Sequence, residues 1–360
     1  MLFDTEPKNS LEELFDREDE VRRLKDGLQN ERMILVLGVR RIGRSSLVLS
    51  TLNSLRKDYV FIDVRKIFDS VSKKVFLDRL YEEIHSSIIR MSKKEYIKNI
   101  FEKFEVSLDY PVKVRLRSDQ IKESIYKIFE ALNEIGLKRG KVPVVFDEAQ
   151  YLRYSTLGLR PFLAHVYDYM KGIILIFTGS EVGLLHDFLG MDDPKSELYG
   201  RYYYSIELRP FNEEKSREFL KKGFRELNVN VSERTIEEAV KELDGIVGWL
   251  VYFGKLYLEK KDDAIKEVKE IGSRLVKEEL REAFSRSAYY LYIMKSIAVM
   301  GRARWKNIVD YVTAVSGKRV SNTTISRDLK NLIKMGFVEK EGEEYRLTDP
   351  IIRYTVLEEF

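Results

Sequence analysis

The sequence holds no cysteine, only three histidines and only seven prolines in 360 residues. The lack of cysteine excludes disulfides, thiolate metal sites and cysteine nucleophiles. His85, His165 and His186 stand far apart with no ligand spacing, so no imidazole metal centre is expected. Nor does any apolar run approach the roughly 18 residues that a membrane span requires. No basic region followed by an apolar segment opens the chain, so no secretion signal is expected and a cytoplasmic setting is.

What is present is a soluble globular composition, 44% hydrophobic and 34% charged, long enough for two or three domains. Heavy use of Lys, Arg and Glu with few thermolabile side chains points to a heat-adapted source. The net charge of +4 is too small to argue for nucleic acid by itself, so its placement along the chain matters more.

Residues 33–46, Met-Ile-Leu-Val-Leu-Gly-Val-Arg-Arg-Ile-Gly-Arg-Ser-Ser, read as a buried strand, a glycine-spaced loop and a helix start. A phosphate loop needs glycine, four residues, glycine, lysine and a hydroxyl, because backbone N–H groups must curl around phosphate oxygens without Cβ clashes. Gly38, Gly43 and Ser45 fit, and the lysine position holds Arg44. Its planar fork keeps the charge but does not reach phosphate as an ammonium does, so binding is expected to survive where hydrolysis weakens. An ordinary strand-to-helix turn is the competing reading.

A second apolar strand, residues 141–150, ends in Asp147-Glu148-Ala-Gln150. Asp147 with Ser45 suits a Mg²⁺ site and Glu148 suits polarisation of an attacking water; a helix N-cap pair is the bland alternative. Residues 173–180 form a third buried run ending in polar groups. Ligands of open α/β sheets lie beyond the strands' carboxyl ends, so Thr178 or Ser180 is a candidate γ-phosphate sensor, or a hydroxyl closing a turn. Arg201, after Gly200, is the candidate charge stabiliser, acting within the chain or on a neighbour, or a solvated surface arginine.

The rest of the chain supplies context. Residues 11–28 carry apolar positions at helical spacing, with Asp16 as a candidate N-cap, and read either as plain core packing ahead of the first strand or as a flank of a bound base through Phe15 and Arg17. Strands are expected at 59–64 and from Tyr202 to Ile206, and helices over most of 71–138, with a loop or short hairpin at 104–117. Strand runs separated by helical crossovers imply a mainly parallel sheet with helices on both faces. From Asn212, a good helix start, to about Phe284 the pattern is all helical, and Gly245 and Gly248 precede an aromatic helix where a lid would approach a nucleotide or merely turn. Three helical stripes and a strand, turn and strand then follow. That is the winged helix-turn-helix order, with 320–335 as recognition helix. Between 301 and 335 eight basic residues face two acidic ones. Arg302, Arg304, Asn322, Thr323, Arg327, Lys330 and Lys334 are the candidate DNA contacts. The acidic wing tip, Glu341, Glu343 and Glu344, keeps a protein partner open.

On Phe15-Asp-Arg-Glu18, Gly38-Val-Arg-Arg-Ile-Gly-Arg-Ser-Ser46, Val145-Phe-Asp-Glu-Ala-Gln150, Phe177-Thr-Gly-Ser180, Leu198-Tyr-Gly-Arg201 and the terminal winged helix, the chain resembles archaeal-type P-loop ATPases related to the AAA+ and STAND classes, and more distantly the origin-recognition ATPases. The resemblance implies ATP/ADP and Mg²⁺ binding by residues 38–46 (Val39, Arg40, Arg41, Ile42 and Ser46 included), slow or regulated hydrolysis, a helical lid, and a tail for DNA or a partner. A nucleotide-dependent homo-oligomer is a further expectation. Arg44 departs from the family's lysine, and Val247-Gly-Trp249 stands where related lids often have proline. Asn-Lys-x-Asp is missing, which favours adenine over guanine. The expected units are an α/β ATPase domain (1–210), a helical lid (211–283) and the winged helix (284–360).

Overall fold

A computed structural model describes residues 1–106, 108, 117–156 and 158–360. The loop or hairpin expected over 104–117 lies largely outside the described residues.

Helix α1 (Glu18–Asn30) leads into β1 (Met33–Leu37), α2 (Arg44–Ser54), β2 (Val60–Asp63) and the one-turn α3 (Val64–Ile67). A short ladder, β3 (Phe68–Asp69) with β4 (Lys74–Val75), precedes α4 (Leu77–Met91), α5 (Glu95–Lys103) and α6 (Ser118–Arg139). The α/β unit is completed by β5 (Val142–Asp147), α7 (Leu159–Tyr169), β6 (Ile173–Gly179), α8 (Val182–Leu189) and β7 (Tyr204–Glu207). Its sheet is parallel throughout, in the order β2-β5-β6-β1-β7. Alternate residues of β1 enter different cores, which explains the unbroken apolar run. Met33, Leu35 and Leu37 pack with α4, α6 and α7, while Ile34 and Val36 pack with α1 and α2.

The segment expected to be one helix over 11–28 is a 3₁₀ turn, Leu11–Glu13, followed by α1. Asp16 does not cap α1. It sits in left-handed backbone (φ 52°) with its carboxylate 3.6 Å from Lys215, and Arg17 takes the position before the first helical residue.

The remainder is helical: α9 (Glu213–Glu226), α10 (Glu233–Leu243), α11 (Val247–Lys260), α12 (Ala264–Arg286) and α13 (Ala288–Met300). The Asn212 side chain accepts from Lys215 N, as its helix-start pattern predicts. After α13 come β8 (Arg302–Arg304), α14 (Trp305–Ser316), α15 (Asn322–Lys334), β9 (Val338–Glu341), β10 (Glu344–Leu347) and α16 (Pro350–Glu358). The three strands pair as β8-β10-β9, making a winged helix-turn-helix with α15 in the recognition position. Helix α12 runs unbroken past residue 284, and one apolar cluster joins α9–α12 to α13–α16.

That cluster also takes in Leu2 and Phe3. Phe3 meets Phe219 and Phe224 edge-on at 5.9 and 5.0 Å. Two helix-interior glycines, Gly223 in α9 and Gly254 in α11, face its ring, and a Cβ at either would run into ring carbons. Helical glycine costs about 1 kcal/mol relative to alanine, so the ring accounts for a choice that propensity opposes. Gly254→Ala is expected to destabilise the protein by about 1–3 kcal/mol in denaturant unfolding. In a Phe3→Ala background the same change should be neutral or stabilising, by up to about 1 kcal/mol. An equal effect in both backgrounds would remove the ring as its cause.

Candidate functional site

The loop after β1 is shaped by its two glycines. Gly38 has φ 151° and lies against the Leu208 carbonyl, where a Cβ would come within 2.7 Å; Gly43 has φ 96° and opens α2. Side chains are disfavoured at both, and the free N–H groups of the α2 terminus face the cleft. Ile42 is buried beneath the loop, anchoring it to the α1/α2 core.

Arg44 is buried and folds back over the loop. Its guanidinium donates to the carbonyls of Gly38 and Val39 and, at 2.5 Å, to Glu148 Oε1. Ser45 Oγ donates to the two Asp147 oxygens at 2.9 and 3.0 Å. The two distant motifs therefore meet. Glu148 holds a left-handed backbone (φ 51°), a sparsely populated conformation for a non-glycine residue, which turns its side chain into the cleft. Its second oxygen accepts from Gln150 Nε2 (2.7 Å) and Ser180 Oγ (3.0 Å).

The expected sensor hydroxyls are engaged differently. Thr178 is fully buried; it donates to Asp147 Oδ1 at 2.5 Å and accepts from Glu148 N at 3.1 Å. Thr178 thus braces the two acids from below instead of facing phosphate. Ser180 orients Glu148. Arg40 turns away from the cleft to ion-pair with Glu181 and Glu279. Ser46 lines the cleft, but its Oγ accepts from Lys8 N at 3.0 Å and fastens the N-terminal strap to α2.

A cleft of about 440 Å³ opens over the loop. Arg41, Arg44, Ser45 and Glu148 line it together with Phe15, Phe211 and Val251, a mixture of groups that suits phosphates and a base. Arg17 borders it, stacked on Phe211 at 4.6 Å. Val247 and Gly248 close it from the α11 side, with Gly248 N donating to Arg41 O at 2.9 Å. Sequence reasoning missed Thr5, Lys8 and Arg65, which also line it. No motif marks them, because tertiary contacts alone bring them there.

Arg201 is not in this site. It precedes β7, at the amino end of a sheet whose carboxyl end carries the loop, and its fork binds both oxygens of Asp168 at 2.9 and 2.5 Å. A cis role on phosphate is therefore corrected by topology. On the winged helix, Asn322, Thr323 and Lys330 are exposed. Arg302 pairs with Glu341, Arg304 with Glu344, Arg327 with Asp328, and Lys334 with Asp187 of α8.

Residues 14–253 match the model of an ATPase domain found predominantly in Archaea, and residues 285–348 match the C-terminal winged helix-turn-helix domain of MCM proteins. The chain belongs to that archaeal ATPase family. A Walker-type ATPase of Pyrococcus abyssi is 38% identical over 99% of this chain and 100% of its own, with a TM-score of 0.84. The ORC2 protein of Aeropyrum pernix, in ADPNP–ADP complexes, is 16% identical, with a TM-score of 0.59 over 99% of this chain and 96% of its own. That second likeness shows a shared fold. Among curated proteins none matches.

The residues lining this cleft fit a magnesium nucleotide. Among the described residues no group of three or more His, Asp or Glu gathers to hold a metal, so a hard cation here would rest on Ser45, Asp147 and phosphate oxygens. Arg44 Nε is buried without an acceptor, leaving cationic donor capacity at the loop.

The two acids are driven apart electrostatically. Burial, and then the Glu148 charge, push Asp147 up to about 6. Burial would also raise Glu148, but Arg44 beside it and the bonds from Gln150 and Ser180 hold it at about 2. Because the folded pKa of Asp147 lies above its unfolded value, its ionisation removes stability as pH rises from about 4 to 6, by about 3 kcal/mol at most. Asp147→Asn should therefore raise the melting temperature at pH 8, lose most of that gain at pH 4, and abolish any Mg²⁺-dependent part of nucleotide stabilisation. A gain equal at both pH values would contradict a buried, strained carboxylate.

Proposed function

We propose that this chain binds ATP and ADP with Mg²⁺ in the cleft, hydrolyses ATP slowly, and uses the nucleotide state to control its winged helix. The observation that carries the reading is the convergence of the Gly38–Ser45 loop with Asp147 and Glu148, bridged by Arg44. Bound Mg²⁺ would supply charge neutralisation on the phosphate oxygens. The loop amides and Arg41 would hold those phosphates, Phe15 and Phe211 would pack the base, and Glu148 would orient water. Arg44 and the bonds from Gln150 and Ser180 favour the ionised Glu148 carboxylate, which would serve as the acceptor that orients the water.

Control of the tail is supported by a continuous contact chain. Arg41 of the loop stacks on Trp249 of α11 at 4.4 Å, and Trp249 Nε1 donates to Asp349 at 3.0 Å. Asp349 caps α16 through Ile351 N at 2.7 Å. We read residues 1–210, 211–283 and 284–360 as the units so coupled, and duplex DNA as the tail's ligand. The second reading is a switch with negligible turnover, favoured by the grip of Arg44 on Glu148.

Two measurements test this. Steady-state ATP hydrolysis should fall by about 100-fold in Glu148→Gln, within the range for loss of a general base, and rise in Arg44→Lys, which frees Glu148. A wild type without activity, restored by Arg44→Lys, would favour the switch. Duplex DNA titrated at two salt concentrations should bind less tightly at the higher one, and Lys330→Ala should lower the salt slope by about 1. Salt-insensitive or absent binding would point to a protein partner.

A further inference from the structure

The arginines around the loop differ in how firmly they are held. Arg44 is fixed by two carbonyls and Glu148, and Arg40 by Glu181 and Glu279. Arg65 is not. It lines the cleft together with Arg44, Ser45 and Glu148, and its side chain is 56% exposed. Among the described residues its one ion pair is with Glu279 Oε1, at 3.3 Å. Glu279 is only 17% exposed and is shared with Arg40, so the Arg65 side is the exposed, exchangeable half of the contact.

Topology says which part of a ligand Arg65 would meet. Strand β2 lies beside β5 with Asp63 opposite Asp147, so Arg65 leaves the sheet's carboxyl edge next to Glu148. Asp63 accepts from Lys66 N at 3.1 Å and fixes the turn that presents it. Strand order places β2 beyond the acidic strand, on the side away from β1 and its loop. A phosphate chain cradled by the loop and running toward Glu148 would meet Arg65 at its outermost group. The charge balance agrees. Burial lowers the Arg41 guanidinium, and the neighbouring charges of Arg40 and Arg65 lower it further against the pull of Asp349, so cations are crowded here in a way a polyanion would relieve.

We propose that Arg65 is the specificity-determining residue that separates a nucleoside triphosphate from a diphosphate, exchanging Glu279 for the terminal phosphate. The proposal rests on the nucleotide reading above. Glu279 acts as the counter-ion that Arg65 leaves. It stands on α12, the helix packed against α13 and α16 of the winged helix, so the exchange alters a contact between the cleft and the tail.

Calorimetry with Mg²⁺-ADP and with Mg²⁺-adenylyl imidodiphosphate tests this on the full chain, with thermal melts confirming that each variant folds. Arg65→Ala should weaken the triphosphate analogue by about tenfold or more while leaving ADP within about twofold, as expected for loss of one charge-assisted contact to the terminal phosphate. Arg65→Lys should recover part of the loss, and Glu279→Gln should tighten the analogue selectively. Equal weakening of both ligands, or no change in either, would overturn the role of Arg65. A wild type that binds neither ligand at millimolar concentration would instead overturn the nucleotide reading itself.

Discussion

A buried guanidinium must find acceptors for its hydrogens, and the way Arg44 finds them governs this site. A lysine would reach forward as a single flexible charge. The planar fork of Arg44 instead spans the Gly38 and Val39 carbonyls and the Glu148 carboxylate, joining the start of the loop to the acid proposed to orient water. In the proposed reading the bridge would act oppositely on binding and on turnover. It keeps a positive charge at the loop, which favours an anion, and it lowers the proton affinity of Glu148, which disfavours general-base action.

The same loop carries two other arginines, and both reach the helices beyond the sheet. Arg40 reaches Glu279 of α12, and Arg41 stacks on Trp249 of α11, so each leaves the α/β unit for a helix that packs on the winged helix. Contact alone does not transmit a state; a path conveys one only if some element along it has two arrangements. Trp249 and Asp349 are buried and hydrogen-bonded, which makes them rigid spacers. The pairs whose cation is exposed, Arg65 with Glu279 and Lys334 with Asp187, are the places where a second arrangement is accessible.

The parallel sheet, the loop and the acidic strand were legible because each is encoded locally. A short apolar run buried on both faces, a glycine at a position where a Cβ collides, and a carboxylate at a strand's end are visible without knowing their neighbours. Helix α16 was legible too and was overlooked, since Asp349 followed by Pro350 is a capped helix start. What could not be read depends on contacts distant in sequence. Arg201 looked free because Asp168, its partner across 33 residues, carries no motif. Phe3 gives no local sign that Gly223 and Gly254 receive it. Arg65 follows a strand that resembles any other, and only the register with β5 brings it to the cleft.

The charge pattern of the tail shows how far composition carries an argument about partners. Of the seven residues expected to touch DNA, four are paired with acids of the same chain: Arg302, Arg304, Arg327 and Lys334. The basic excess counted along the sequence is thus partly neutralised in the fold. Exposed without an acidic partner among the described residues are Lys330 and, at the N-terminal end of α15, Asn322 and Thr323, preceded by Lys318 and Arg319. That is the end of a recognition helix that reaches base edges. Its other end is docked, because Lys334 holds Asp187 and a Cβ on Gly183 would strike the Lys334 backbone. A duplex touching only the open end leaves the docking intact, whereas one lying along the whole face must break it. The second mode would make any affinity for DNA depend on how the tail sits against the α/β unit, which is where the proposed nucleotide control would act.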